Sequence, residues 1–161
     1  MQLSKNQILF IFIGIITITS GAFAHLFLPE KYYYDAVLIA TDPYNQKGLI
    51  NSYPVAMLFY DMLCLNKLPY SIISILQLTI IFYCFYKLSV PKKFTKLYLS
   101  NILIWSALIA LSIYISMPSK EFINILFIFF IAFIFKSTRF KSKTKIYIIL
   151  VLFGLFGLWY R

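Results

Sequence analysis

Five apolar stretches set the limits on what this chain folds into: residues 8–28, 70–86, 97–117, 121–135 and 146–160. Lipid gives the backbone no hydrogen-bond partner, so a run that crosses it must be a helix that satisfies itself. A hydrocarbon core of about 30 Å takes roughly 20 residues of helix. The first stretch has about 21 and fits directly. The second, with about 17, is near the lower limit; the fourth, with about 15, either starts inside the bilayer or is flanked by thinned lipid, and the fifth, with about 15, is short for a span. Charged residues make up 12% of the chain, against roughly 25% in globular domains. The expected fold class is all-α: one polytopic bundle over 1–161 with about five spans, and short interfacial helices in an outer loop at 29–69.

The connectors sort the charge. Assigned alternately to two sides, one side receives Lys5, Lys87, Lys92, Lys93, Lys96, Lys136, Arg139, Lys141, Lys143 and Lys145, with no acid. The other receives Lys31, Lys47, Lys67, Lys120 and Arg161 with Glu30, Asp35, Asp42, Asp61 and Glu121. The whole net charge of +10 therefore falls on one side. Basic connectors stay in the cytoplasm, so the N-terminus is expected there and every carboxylate outside. A basic chain also suggests nucleic acid, but these lysines sit in short connectors between apolar runs. Anionic lipid headgroups are the expected neighbours, and no nucleic acid is expected.

Lys5 followed by an apolar run and Gly21-Ala22-Phe23-Ala24 also fits a cleaved signal peptide. The run continues to Leu28, a length that suits a retained span better. In the long connector, Tyr32 to Thr41 and Tyr53 to Leu65 read as short helices, with Asp42-Pro43 as a break between them. At the other end the apolar run 146–160 is followed only by Arg161. That reads as the front part of a longer polytopic protein; the other reading is a small protein whose last helix is anchored by Trp159, Tyr160 and Arg161. Cys64 and Cys84 fall toward opposite membrane faces and are not expected to pair. With His25 the single histidine, no metal site and no cofactor is expected.

Two constellations carry chemistry. In Ser116-Met-Pro-Ser-Lys-Glu121, Pro118 suits the first turn of a helix, whose N–H groups and dipole favour an anion. Lys120 adds a full charge there, so Lys120 suits phosphate or diphosphate and Glu121 suits either holding the lysine or acting as a base. The plainer reading is a hairpin turn with a snorkelling lysine. In Glu30-Lys-Tyr-Tyr-Tyr-Asp35, Asp35 on a short interfacial helix can face a substrate, and tyrosines such as Tyr34 are either an interfacial belt or stacking platforms for sugars. Asp61, beside Phe59 and Tyr60, is a third carboxylate of this kind, whereas Asp42 before Pro43 reads as a turn residue. No charge falls in mid-span, which argues against a proton pump or ion-coupled carrier.

Leu28-Pro-Glu-Lys-Tyr-Tyr-Tyr-Asp35-Ala, then Asn51-Ser-Tyr-Pro and Phe59-Tyr60, resembles the start of the bacterial polysaccharide repeat-unit polymerases of O-antigen, capsule and exopolysaccharide synthesis. Pro118-Ser-Lys-Glu-Phe122 and Gly157-Leu-Trp-Tyr-Arg161 look like further motifs of that group. The group's members are typically about twice as long, so the resemblance is to their N-terminal part. It implies an inner-membrane glycosyltransferase acting on polyprenyl-diphosphate-linked oligosaccharide at the outer face. Lys120 and Arg161 would bind the diphosphate, and Asp35 or Glu121 would activate the acceptor hydroxyl; Tyr34 and Asp61 are further candidate substrate-binding residues. The competing expectation is a small non-enzymatic polytopic protein: an assembly factor, a transporter subunit or a flippase component.

Overall fold

The computed structural model describes residues 5–88, 106, 109–110, 112–137 and 142–160; most of these are helical, and no strand is among them. In chain order the helices are α1 (Lys5–Phe27), α2 (Tyr34–Thr41), α3 (Ser52–Met62), α4 (Tyr70–Lys87), α5 (Lys120–Lys136) and α6 (Ser142–Tyr160). Short 3-10 turns at Glu30–Tyr32 and Leu65–Lys67 flank the connector helices. Most of the expected span at 97–117 lies outside the described residues; its last part, 112–115, is helical.

Among the described residues, three helices are long and apolar enough to cross a membrane: α1 over Phe10–Phe27, α4 over Tyr70–Lys87 and α6 over Ser142–Tyr160. At 1.5 Å per residue, the 17 residues of α5 reach about 26 Å, just under a hydrocarbon core. The chain divides into two compact units. One comprises Met1–Asp35 with Leu68–Met117, the other Ala36–Lys67 with Pro118–Arg161.

In the first unit α1 and α4 pack antiparallel. Phe10 and Phe82 meet edge to face at 5.6 Å, and at the other end His25 meets Tyr70 at 6.0 Å. Gly21 lets the backbones close between these points. A Cβ on it would lie 2.5 Å from Leu78 Cδ1, 3.1 Å from Ser74 Oγ and 3.2 Å from Ser116 Cβ. Small residues at such a crossing are how helices associate where no hydrophobic effect drives them together. The unit buries small polar side chains among apolar ones and leaves large apolar side chains exposed. Thr17, Ser74, Gln77, Ser112 and Ser116 are buried, while Phe12, Ile15, Phe23 and Phe27 are exposed. The hydroxyls of Thr17, Ser112 and Ser116 donate to carbonyls of their own helices at 2.6–2.8 Å, which needs no water. Exposed apolar side chains of this kind are compatible with hydrocarbon around the helices.

In the second unit α5 and α6 form an antiparallel hairpin. Phe127 stacks on Phe156 at 3.9 Å, the Tyr160 hydroxyl donates to the Lys120 carbonyl at 2.7 Å, and Lys145 Nζ donates to the Phe135 carbonyl at 3.0 Å. The helix α3 packs on the first turns of α5, with Phe59 against Phe122.

Candidate functional site

The start of α5 is held by side chains from α3. Tyr60 is fully buried, and its hydroxyl accepts from the Ser119 N–H at 3.0 Å and lies 3.3 Å from the Ser119 carbonyl. Ser119 is the N-cap: its Oγ accepts from the Phe122 N–H at 3.3 Å. A buried tyrosine needs such a partner for its hydroxyl, and a helix end needs partners for its first N–H groups. Each requirement meets the other here.

This geometry corrects the sequence reading at one point. Pro118 precedes the cap and is not in the first turn, because Ser119 is extended, with φ −147°, and the helix begins at Lys120. Nor do all the N–H groups of this end point outward as expected. The Ser119 and Phe122 donors are taken by Tyr60 and by the cap, and Ser116, Met117, Pro118 and Ser119 are buried.

Lys120 and Glu121 are the first residues of α5. The Lys120 ammonium lies 3.9 Å from the centre of the Tyr53 ring, a cation–π contact, and Glu121 is exposed beside it. Through its hydroxyl, Tyr160 fixes the end of α6 at the same place. The structure therefore gathers Lys120, Glu121, Tyr53, Tyr60 and Tyr160. Arg161 follows Tyr160 in sequence and lies outside the described residues. Asp35 is exposed in the first turn of α2, where a carboxylate complements the helix dipole, and Tyr34 before it is also exposed. They start α2 and belong to the first unit, whereas Lys120 belongs to the second.

Asp61 belongs to a second cluster on the same connector. Its carboxylate pairs with Lys47 Nζ at 3.1 Å and accepts from Asn66 Nδ2 at 3.1 Å. The Lys47 and Asn66 donors hold its carboxyl below the usual aspartate range. Asp42 is the turn residue that its place before Pro43 predicts: its Oδ1 accepts from the Gln46 N–H at 2.7 Å. These groups rim a polar recess of about 130 Å³, floored by Ile39 and Met57. Among the described residues, no three His, Cys, Asp or Glu side chains stand close enough to hold a metal ion.

Sequence reasoning missed Tyr53, Tyr60, Lys47 and Asn66. Helical spacing does signal Tyr60: it lies four residues after Ala56, and both are fully buried. A tyrosine on a core face implies a polar partner, but the partner is 59 residues away and no local pattern names it.

Comparison of the chain with models of protein families, with curated proteins and with solved structures finds no match.

Proposed function

We propose that this chain is a membrane glycosyltransferase of the polysaccharide-polymerase type, acting on polyprenyl-diphosphate-linked glycans at the outer face of a bacterial inner membrane. Its five spans are α1, α4, the 97–117 stretch, α5 and α6, and its N-terminus is cytoplasmic. The observation that carries the reading is the cluster at the start of α5. It sets a lysine, a carboxylate and aromatic rings together at the end of the hairpin opposite the basic turn. An apolar groove of about 490 Å³ along Thr19 to Leu28 of the first unit offers room for a lipid chain. The motif resemblance adds the reaction class.

The chemistry follows from those residue types. The acceptor sugar hydroxyl attacks the anomeric carbon of the donor glycan, and the bond from that carbon to the diphosphate oxygen breaks. The lipid diphosphate leaves with the bonding electrons. Lys120, with Arg161, offsets the charge that builds on it. The proton of the acceptor hydroxyl passes to a carboxylate, Glu121 or Asp35. Tyr34 and Asp61 contact the glycan.

One observation favours the second reading, a non-enzymatic assembly or transport component. Cap and tyrosine satisfy two donors at the start of α5 from within, as in a turn built for stability. The two readings separate in a cell whose surface glycan depends on this protein. Lys120→Ala, Glu121→Gln and Asp35→Asn are compared by the length of the glycan ladder at equal protein abundance. The enzyme reading expects Lys120→Ala to abolish long chains, and one of the carboxamides to slow polymerisation by about 10²–10⁴-fold, the usual loss with a general base. Normal ladders for all three variants would exclude it.

A further inference from the structure

We propose that Tyr53 is a positioning residue: its ring holds the Lys120 ammonium where the lipid diphosphate leaves, and holds it without cancelling its charge. The inference rests on the glycosyl-transfer reading and adds to it a residue which that reading does not use.

Tyr53 lies in the first turn of α3, and Tyr60 lies about two turns further along the same face. α3 packs on the first turns of α5, and this face does two things there. Tyr60 fixes the backbone of the helix start through Ser119, and Tyr53 meets the side chain that leaves it. The ammonium is 3.9 Å from the ring centre, well inside the range of about 6 Å over which a ring attracts a cation. Lys31 over Tyr32 at 5.1 Å and Lys87 over Tyr83 at 5.4 Å are looser contacts between near neighbours in sequence. The Tyr53 contact joins two helices of the same unit, and both of its members are half-buried.

The kind of partner decides what the lysine can still do. Lysine is a point charge on a flexible four-carbon stem, so its ammonium has to be held if it is to meet a ligand at one place. A carboxylate would hold it and neutralise it. A ring attracts through its quadrupole and carries no net charge, so the ammonium keeps its own. Its three donors cannot all face one ring, and the outward side can meet a phosphate oxygen. Glu121 is the other candidate to hold Lys120, but adjacent residues on a helix do not face each other. The ring takes the holding role, and Glu121 keeps that of a candidate base.

The test places phenylalanine with a graded number of ring fluorines at position 53 of the full chain, in the cell whose surface glycan depends on it. Fluorine draws charge from the ring face and hardly changes its size. A ring that only fills space tolerates the series, whereas a ring that holds a cation does not. Polymerisation is read as the glycan ladder at equal protein abundance. Tyr53→Phe should recover what Tyr53→Leu loses, and polymerisation should then fall stepwise with fluorine, to a loss of about fivefold in the most fluorinated ring. The same series at Tyr32 should change nothing. A flat series, or no recovery with Tyr53→Phe, would overturn the proposal while loss of long chains in Lys120→Ala keeps the glycosyl-transfer reading. A full ladder with Lys120→Ala would instead show that the reaction does not use the lysine, and the role of Tyr53 would fall with that part of the reading.

Discussion

Tyr60 shows how much one hydroxyl can hold. It satisfies the Ser119 N–H in a place that water does not reach. Tyr60→Phe keeps the ring and strands that donor, and an unsatisfied buried donor costs about 1–3 kcal/mol. Thermal unfolding in detergent should show that loss; an unchanged midpoint would mean that another group takes over the donor. Ser119→Ala removes the cap and should cost about 1 kcal/mol. The Asp61 pair makes a different kind of prediction, because it is exposed and its effect is read as titration. Its folded value lies below the ordinary aspartate value of 3.8. Whatever it contributes is therefore complete above that value and is lost as pH falls through the lower folded one. Carboxyl NMR should follow this titration, and Lys47→Gln should move the Asp61 midpoint up toward 3.8. A midpoint that does not move would assign the shift to Asn66 alone.

At the scale of elements, apolar runs and breakers were readable where the cause is local. The run 70–86 became α4 over Tyr70–Lys87, and 121–135 became α5 over Lys120–Lys136. Pro54 does not interrupt α3 because it sits in the first turn, where its missing N–H has no partner to lose. The expected helix to Leu65 stops at Met62 because Cys64 turns left-handed, with φ 53°, a choice that periodicity does not signal. What the sequence could not disclose is pairing across distance: Lys47 with Asp61, Tyr53 with Lys120, Tyr60 with Ser119. Packing makes one sharp contrast between glycines. Gly21→Val drives a side chain into Leu78, Ser74 and Ser116 and should destabilise by about 1–3 kcal/mol, with part recovered by Leu78→Ala. Gly154→Ala and Gly157→Ala meet nothing within 4 Å and should be neutral or gain up to about 1 kcal/mol from helix propensity. Unfolding midpoints of the set measure both. Equal effects at all three positions would contradict the α1–α4 crossing.

For the molecule as a whole, the antiparallel helix pairs inside each unit agree with alternation of the connectors. The ends of α1 and α4 that flank the long connector meet at His25 and Tyr70, and α5 and α6 meet at Lys120 and Tyr160 opposite the basic elbow. On the proposed reading, insertion sorted by charge gives that alternation a direction, with basic turns in the cytoplasm and carboxylates outside. The glycosyl-transfer reading depends on it, since lipid-linked glycan is then met by Lys120 and Glu121. The protein carries its own reporter of this direction. Cys64 is exposed in the long connector and Cys84 lies in α4. In a Cys84→Ser variant, a membrane-impermeant maleimide applied to intact spheroplasts should label Cys64 fully. Labelling of Cys64 only after the membrane is permeabilised would place the connector in the cytoplasm and contradict both the orientation and the proposed chemistry.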